Sequence, residues 1–310
     1  PRDRRCPKMD GILNINKPSG PTSHDIVARI RKATGIKRVG HAGTLDPLAT
    51  GVLVVCLGNA TRIVEYLMDW RKSYRANAVF GAETDTEDAT GEVMRETDCS
   101  HLTREQLEAV LPRFTGEILQ TPPMVSAVHH EGKRLYEIAR AGKVVERAPR
   151  RIEISSLNLV DFVPGKRPSA ILDVECSKGT YIRTLCADIG KALDCGGYMS
   201  ALVRTAVGGF KVEDAVSLET IEQGPLGDFL IPIDQALSDM REVNVTEDGG
   251  NRIANGMMLS IEALSRSELP QIGIPVRIKS PSGLIAIGRL CLSQGRVMLK
   301  PDKVFAGNSG

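Results

Sequence analysis

The order of strand-like and helix-like segments is the feature that most constrains how this 310-residue chain folds. The apolar run "GILNINK" stops at a Pro-Ser-Gly turn, and "TSHDIVARIRKATG" follows it with helical spacing. Thr22 or Ser23 is a candidate N-cap of this helix, and Gly35 ends it. Because the later segments follow no regular βαβ spacing and no internal repeat, the sequence predicts an α+β fold with a mixed sheet.

The chain changes character near residues 224–245. Residues 1–8 are basic and no apolar stretch follows them, so they predict a disordered lead and not a signal peptide. Residues 9–240 are the predicted main domain. Residues 241–310 carry short alternating runs split by Ser-Gly and Gln-Gly turns, which predict a small β-rich domain. This tail is either a binding module or an edge extension of the main sheet, and its basic residues include Arg289, Arg296, Lys300 and Lys303.

Composition and motifs exclude several classes of protein. No apolar run approaches the roughly 20 residues that a membrane-spanning helix needs. The 7 cysteines contain no C-x-x-C pair, so we expect a reduced, cytoplasmic protein without a metal site. The stretch "DTEDATGE" is not a calcium loop, because Thr90 occupies the sixth position, where that loop needs glycine. The sequence also lacks a P-loop, a complete dinucleotide-binding fingerprint and a G-x-S-x-G nucleophile elbow.

Charge is unevenly distributed, although the net charge is only +2. Residues 1–75 contain 14 Lys and Arg against 6 Asp and Glu, whereas residues 76–110 contain 2 against 9. Residues 111–151 return to 8 against 4. Basic segments around an acidic one fit phosphate-binding faces, and they fit solvated faces without a ligand equally well.

A single carboxylate, Asp46, lies in the turn "GHAGTLDPLATG" just before the apolar run "GVLVVCLG". Asp followed by Pro47 is typical of a helix N-cap and first helical position, and spacing alone favours this structural interpretation. A carboxylate on a rigid turn is also well placed to react as a nucleophile. Arg183, in "KGTYIRTL", is a candidate for the cation that would orient it. Spacing cannot decide whether these two side chains meet, so both interpretations stay open.

Six motifs in a fixed order resemble those of the bacterial-type TruB tRNA pseudouridine-55 synthases. The catalytic motif is "GHAGTLDPLATGVLVVCLGNATR", with its G-T-L-D-P core. The other five are "GILNINKPSGPTSHD", "KSYRANAVFGAETDTEDATGEV", "QTPPMVSAVHHEGKRLYEIARAGKVVER", "KGTYIRTLCADIG" and "LVRTAVGGF". The resemblance implies a mixed, mostly antiparallel sheet with flanking helices and an RNA-clamping insertion at about residues 121–150. The tail resembles, more weakly, the small RNA-binding PUA domain.

The resemblance also implies a reaction. A uridine in the T loop of tRNA, at position 55, is isomerised to pseudouridine: the N-glycosidic bond breaks, the uracil turns, and a carbon–carbon bond forms to the same ribose. Nothing is added, so neither a cofactor nor a metal is implied. The target base must be flipped out of the folded RNA to react. We therefore expect the T arm of tRNA as partner, no membrane and no protein partner, and a monomer.

Four residues take roles around the chemistry by this resemblance. Asp46 matches the family's nucleophile, and Arg183 matches the arginine that pairs with it. The chemical path stays open among attack on the ribose, addition to the base and proton abstraction from the sugar. His41 matches the histidine that occupies the space vacated by the base, although alone it would be an ordinary loop residue. Lys17, in the opening motif, either braces the site or touches RNA.

Three further residues match positions that hold the base. Tyr74 matches the aromatic residue that stacks on the flipped base, Tyr181 a second tyrosine against base and sugar, and Leu202 an apolar wall. Without the resemblance, Tyr74 and Leu202 would be predicted as core residues. One departure is His129, which stands where the family commonly has lysine; a neutral histidine there would weaken one phosphate contact.

Two other functions compete with this interpretation. A non-catalytic RNA-binding protein would explain the basic segments and the tail, but not the combination of Asp46, Tyr74, Tyr181 and Arg183. A glycosidase uses two carboxylates across a sugar bond, and the sequence offers one plausible acid. The sequence therefore favours pseudouridine synthesis.

Overall fold

A computed structural model of the chain describes residues 9–124, 129–130, 133–134, 145, 147–261, 264 and 269–305. The predicted disordered lead, 1–8, lies outside the described residues, as does most of the predicted insertion at 121–150. Within that insertion, the backbone of His129 pairs with that of Arg134 in a short hairpin.

The strands of the described residues are defined here in chain order. They are β1 (Gly11–Lys17), β2 (Val39–His41), β3 (Thr50–Leu57), β4 (Lys72–Phe80), β5 (Ala82–Thr84), β6 (Val93–Glu96), β7 (Gly116–Gln120), β8 (His129–His130), β9 (Lys133–Arg134), β10 (Arg150–Val163), β11 (Ser169–Cys176), β12 (Gly197–Val207), β13 (Phe210–Lys211), β14 (Val216–Ser217), β15 (Glu242–Asn244), β16 (Leu259–Ser260), β17 (Pro275–Ser280), β18 (Gly283–Ser293) and β19 (Arg296–Val304).

The helices are mostly short. The α-helices are α1 (Ser23–Thr34), α2 (Val64–Asp69), α3 (Arg104–Val110), α4 (Ile182–Ala192), α5 (Leu218–Gln223), α6 (Ile233–Ala236) and α7 (Glu247–Ala254), and 3-10 turns cover Gly58–Ile63, Leu111–Phe114, Val212–Asp214 and Leu226–Phe229. In the described part of the chain, no helix has the length and apolar character that crossing a membrane requires.

One large sheet organises the main part of the molecule. Its strands run in the order β14-β1-β3-β12-β4-β11-β10-β7, with β2 added beside β3 and β13 beside β12. The β1–β14 and β3–β12 pairs are parallel, and the other pairs of this sheet are antiparallel. The predicted mixed, mostly antiparallel sheet with flanking helices is confirmed.

Helix α1 forms where the sequence predicts it. Thr22 is the N-cap, and it forms a capping box with Asp25 in which each side chain accepts a bond from the other's backbone N–H. Gly35 ends the helix in the left-handed conformation, with φ of 71°. Ile26 and Ile30 are buried on the helix face that packs against β1 and β3. The helix thus closes one side of the sheet beside the loop that carries Asp46.

Strand β3 lies in the middle of the core. Val52, Val54 and Cys56 face one hydrophobic cluster, whereas Leu53 and Val55 face the cluster under α1. A strand that is buried on both faces reads as a continuous apolar run, which explains "GVLVVCLG". Because β3 is fixed on both faces, the loop that leads into it at residues 42–49 has a fixed end.

The tail forms a separate sheet, in the order β15-β17-β18-β19-β16, so the alternative of an edge extension of the main sheet is wrong. The small sheet packs against the main one through Ile287 and Phe305, which join the cluster of Ile12 and Leu237. Lys303 Nζ also lies 2.7 Å from Glu65 Oε1 on α2. The tail is therefore a β-rich domain that shares apolar surface with the main one.

Candidate functional site

A cavity of about 300 Å³ lies between the loop before β3, the strands β4 and β12, and the start of α4. Of the residues singled out from the sequence, five line it: Asp46, Tyr74, Tyr181, Arg183 and Leu202. Lys17 and His41 are not among its lining residues. This volume is at the lower end of the range of small-ligand pockets.

The carboxylate of Asp46 and the guanidinium of Arg183 meet at the floor of this cavity. Arg183 Nε lies 3.0 Å from Asp46 Oδ2. The arginine side chain is 5% exposed, whereas that of Asp46 is 41% exposed. The pair therefore holds the carboxylate from below and leaves it accessible to a ligand. Arg183, the candidate for the orienting cation, therefore contacts Asp46, the candidate acid.

The turn between β5 and β6 holds Arg183 from its other side. Arg183 Nη1 donates to Thr86 O at 3.0 Å and lies 3.6 Å from Asp88 Oδ2. Asp88 is buried, and its Oδ1 accepts bonds from the Thr86 hydroxyl and the Thr90 backbone N–H. From the sequence, no role at the site was predicted for this acidic stretch, which was only excluded as a calcium loop. The signal that could have identified it is the succession of threonines and aspartates, whose short side chains bond within turns.

Lys17 braces the loop of Asp46 from inside the protein. It is fully buried, and its Nζ donates to Pro18 O, Pro47 O and Ala49 O at 3.0, 3.1 and 2.7 Å. Burial lowers the pKa of Lys17 to about 8, against the opposing effect of the Asp46 charge. Of the two alternatives for Lys17, the geometry supports bracing.

The loop after Asp46 is not a helix, so the N-cap interpretation is wrong. The residues from Pro47 to Ala49 form an irregular turn, closed by a bond from Ala49 N to Asp46 O of 3.1 Å. The carbonyls of Pro47 and Ala49 accept from Lys17, so they are directed at a side chain and not along a helix. The Asp-Pro pattern correctly predicted a turn, but the buried lysine decides its shape.

Tyr74 and Leu202 come from neighbouring strands. The residues of β4 alternate, and Tyr74, Ala76 and Ala78 face the core under α4. Leu202 of β12 is paired with Ala76, so it lies two pairs away from Tyr74 on the sheet. Burial raises the pKa of the Tyr74 phenol, which therefore stays neutral at physiological pH. Together they give the cavity an aromatic and an aliphatic wall.

Tyr181 is positioned by its backbone at the start of α4. Gln120, at the end of β7, accepts from Tyr181 N at 2.8 Å and donates to Tyr181 O at 3.0 Å. The Gln120 side chain is almost fully buried, so the two bonds act as a fixed clamp. The tyrosine is thereby held next to Arg183, two positions further along the same segment.

Arg204, which also lines the cavity, was not singled out from the sequence. This arginine is 1% exposed, and it donates to Val52 O at 2.7 Å, Gly43 O at 3.0 Å and Thr44 O at 3.4 Å. Its backbone lies against Gly51, where a Cβ would stand 2.3 Å from Arg204 O. Arg204 thus ties the loop of Asp46 to strand β12. The signal that could have identified it is its place in the motif "LVRTAVGGF", although its acceptors are backbone carbonyls far away in the chain.

His41 lies at the end of β2 and packs edge-on against His24, with ring centroids 5.4 Å apart. Its Nδ1 is buried and has no hydrogen-bond partner within the described ranges. Burial, reinforced by the charges of His24 and Arg204, lowers the pKa of His41 to about 4. The imidazole is therefore neutral at physiological pH.

Positive side chains surround the single acid. Lys72, which is two residues before Tyr74 on β4, lines the cavity, and burial followed by the Arg204 charge lowers its pKa to about 8. With Arg183 and Arg204, it gives the cavity lining an excess of cations that favours anionic ligands. No group of three potential metal-binding side chains is found among the residues that the structure describes.

Known proteins are similar to this chain in sequence and in fold. The profile of the TruB family pseudouridylate synthase N-terminal domain matches residues 31–182, and that of the tRNA pseudouridylate synthase B C-terminal domain matches residues 183–238. A tRNA pseudouridine synthase B of Pelotomaculum thermopropionicum is 44% identical over 97% of this chain and 99% of its own. That of Symbiobacterium thermophilum is 52% identical over 81% of this chain and 83% of its own.

Among solved structures, a chain of a Cbf5–Nop10–Gar1 complex superposes with a TM-score of 0.72 at 27% identity, covering 95% of this chain and 84% of that one. A chain of an H/ACA RNP bound to a substrate RNA, at 24% identity and a TM-score of 0.74, covers 96% and 86% and shares the fold. With family matches across the cavity segments and relatives of this identity over nearly the whole length, the chain belongs to the TruB family of pseudouridylate synthases.

Proposed function

We propose that this chain isomerises uridine in tRNA to pseudouridine, and that its target is the T-loop uridine at position 55. The relatives named above are tRNA pseudouridine synthases, which supports the reaction and the substrate class. The observation that carries the proposal is the carboxylate of Asp46, held by the buried Arg183 in a cavity with two tyrosines and Leu202. The position within tRNA rests on the resemblance of the motifs.

The target base enters the cavity by flipping out of the RNA, which costs a few kcal/mol of stacking. Tyr74 stacks on the flipped base, Leu202 forms the apolar wall, and Tyr181 contacts base and sugar. Contacts with the rest of the RNA offset the cost of unstacking. In this arrangement, Tyr74 and Leu202 favour a planar ring between them. Asp46 and Arg183 lie on the side of the ribose.

Asp46 starts the cleavage in this proposal. In the reaction, the bond from N1 to C1′ breaks, the bond from C5 to C1′ forms, the C5 hydrogen leaves as a proton and N1 gains a proton. Arg183 binds Oδ2 and keeps the carboxylate oriented. Because the carboxylate is held in place and exposed to the cavity, it can act on the ribose or the base without a change of conformation at Arg183. The reaction is an isomerisation of the RNA, so it consumes no second substrate.

Affinity for the RNA comes from outside the cavity. We propose that residues 9–240 form the catalytic domain, that 241–310 form a PUA-like RNA-binding domain, and that the protein acts as a monomer. Of the four basic residues noted in the tail, Arg289 pairs with Asp302 and Lys303 with Glu65. Arg296 and Lys300 are exposed on β19 and are the candidates for phosphate contacts.

Mapping of pseudouridine in an unmodified tRNA transcript after incubation with the protein tests this function. We expect pseudouridine at position 55, and no product at that position in a transcript that carries cytidine there. A T-arm stem–loop should also react, because the unstacked loop carries the selective contacts. Binding without product would favour the non-catalytic RNA-binding alternative. Release of free uracil would favour the glycosidase alternative.

A further inference from the structure

An exposed ion pair lies beside the cavity. Met68 and Lys178 are exposed residues that line the cavity, Met68 in the last turn of α2 and Lys178 in the turn between β11 and α4. Asp69 follows Met68, and Lys178 Nζ donates to Asp69 Oδ1 at 2.6 Å. A nucleotide that is bound in the cavity is therefore close to this pair.

The acidic side of the pair is fixed in place. The buried Lys72 donates to Met68 O and Trp70 O, the carbonyls on either side of Asp69. The position of Asp69 is therefore set by a residue of the cavity itself. A carboxylate that is held there pairs with the nearby ammonium and so competes with an RNA phosphate for it.

The basic side of the pair is free to move. The Lys178 side chain is 64% exposed and that of Asp69 is 62% exposed, and ion pairs this exposed contribute little to stability. A lysine ammonium on a flexible stem binds a carboxylate or a phosphate with the same N–H donors. The turn that carries Lys178 is defined by a bond from Thr180 Oγ1 to Ser177 O of 3.0 Å, so the side chain can change partner without rearranging the backbone.

We propose that Lys178 exchanges partners when RNA binds, leaving Asp69 for a backbone phosphate at the flipped uridine. Asp69 competes with that phosphate for the Lys178 ammonium, so it lowers the affinity for RNA that makes this contact. This inference rests on the proposed function, since it needs a flipped nucleotide in the cavity. It assigns Lys178 and Asp69 to RNA binding and not to the reacting atoms.

A double-mutant cycle on RNA affinity tests the exchange. Binding of a T-arm stem–loop transcript is measured over a salt series for the wild type, Lys178→Gln, Asp69→Asn and the double variant. Lys178→Gln should weaken binding roughly three- to tenfold and make the salt slope shallower by about one, as expected for one lost phosphate contact. Asp69→Asn should tighten binding about threefold by releasing Lys178. The double variant should bind like Lys178→Gln.

The matched control is Glu153→Gln, which releases Arg71 from an exposed ion pair of 2.9 Å that does not line the cavity. It should leave the affinity unchanged. Equal tightening by Glu153→Gln and Asp69→Asn, or tightening by Asp69→Asn when Lys178 is absent, would overturn the exchange, as would an unchanged affinity and salt slope in Lys178→Gln. Product formation by the wild type on the same RNA is scored separately. Its absence would refute the proposed function, while the affinity cycle still reports on Lys178.

Discussion

Arg183 Nε and Asp46 Oδ2 lie 3.0 Å apart, and the two side chains differ in exposure by a factor of about eight, at 5% and 41%. This difference in exposure lets the pair meet two requirements, stabilisation of the negative charge and access of the carboxylate to its substrate. A buried guanidinium stabilises a negative charge strongly because water does not screen it. A reacting carboxylate needs access to its substrate. The pair satisfies both, since the cation approaches from the protein and the ligand from the cavity.

Arg183→Lys should lower the single-turnover rate by about 100-fold or more, which is the typical cost of losing one preorganised donor at a reacting group. Lysine keeps the charge but cannot reach Asp46, Thr86 O and Asp88 together with one ammonium. The comparison variant is Arg183→Met, which leaves the buried Asp88 without its cation and should lower the free energy of unfolding by about 3–5 kcal/mol. A wild-type rate in Arg183→Lys would contradict the orienting role.

Lys17→Met should reduce the rate more than it reduces RNA affinity. The substitution removes the donors of the carbonyls of Pro18, Pro47 and Ala49 and should lower the free energy of unfolding by about 2–4 kcal/mol. It also loosens the loop of Asp46, so the carboxylate spends less time in position. Urea unfolding, single-turnover kinetics and RNA binding measure the three quantities, with the exposed Lys32→Met as control. Equal loss of rate and affinity would instead indicate that Lys17 contacts RNA.

The limits of sequence reasoning are clear at these residues. Helix α1, its cap and the buried strand β3 were predictable, because each depends on neighbours in the chain. The shape of the turn after Asp46 was not, because the buried Lys17 sets it from a different strand. Arg204 lies in the motif "LVRTAVGGF", but its role was not predictable, since three distant backbone carbonyls hold it. Local sequence patterns therefore predict individual helices and strands, whereas the shape of the site depends on contacts between segments far apart in sequence.

His41 should make the fold less stable in mild acid. Its folded-state pKa of about 4 lies below the ordinary value of 6.5, so the unfolded chain binds more protons between these pH values. The stability that neutral His41 contributes is therefore complete above pH about 6.5 and is lost as pH falls toward 4, by at most about 3 kcal/mol. The charged groups that oppose its protonation are His24 and Arg204.

The pH effect of His41 is isolated by comparing unfolding of the wild type and His41→Gln at pH 7 and pH 4.5. The wild type should lose more stability between the two values than the variant does, because carboxylates titrate in both proteins and only the wild type has this histidine. Parallel losses would mean that His41 titrates normally and is not buried as described.

The tail should contribute to RNA binding through exposed basic residues and to stability through its apolar contact. Arg296→Gln with Lys300→Gln should weaken tRNA binding roughly tenfold or more and make its salt dependence shallower, with an unchanged melting temperature. Deleting residues 245–310 should also lower the melting temperature, because it uncovers the cluster that Ile287 and Phe305 share with Ile12. Wild-type affinity in the double variant would place the RNA contacts of the tail elsewhere.

Asp46→Asn should abolish isomerisation and leave the fold and RNA affinity nearly intact. Asparagine is close to isosteric, and its carbonyl oxygen can still accept the bond from Arg183 Nε. The loop itself is held by backbone carbonyls that bond to Lys17 and by the turn from Ala49 N to Asp46 O, none of which uses the side chain of Asp46.

What Asp46→Asn removes is the negative charge and the nucleophilic or basic oxygen. We therefore expect a melting temperature near that of the wild type, an affinity within a few-fold, and a single-turnover rate lower by about 1,000-fold or more. The matched control is Asp25→Asn, since the Asp25 carboxylate has a structural role in the capping box of α1 and Thr22 is the N-cap there. That variant should lower the melting temperature slightly and leave turnover unchanged. If Asp46→Asn kept even about a tenth of the wild-type rate, its carboxylate would be a structural group and the chemistry would have to lie elsewhere in the cavity.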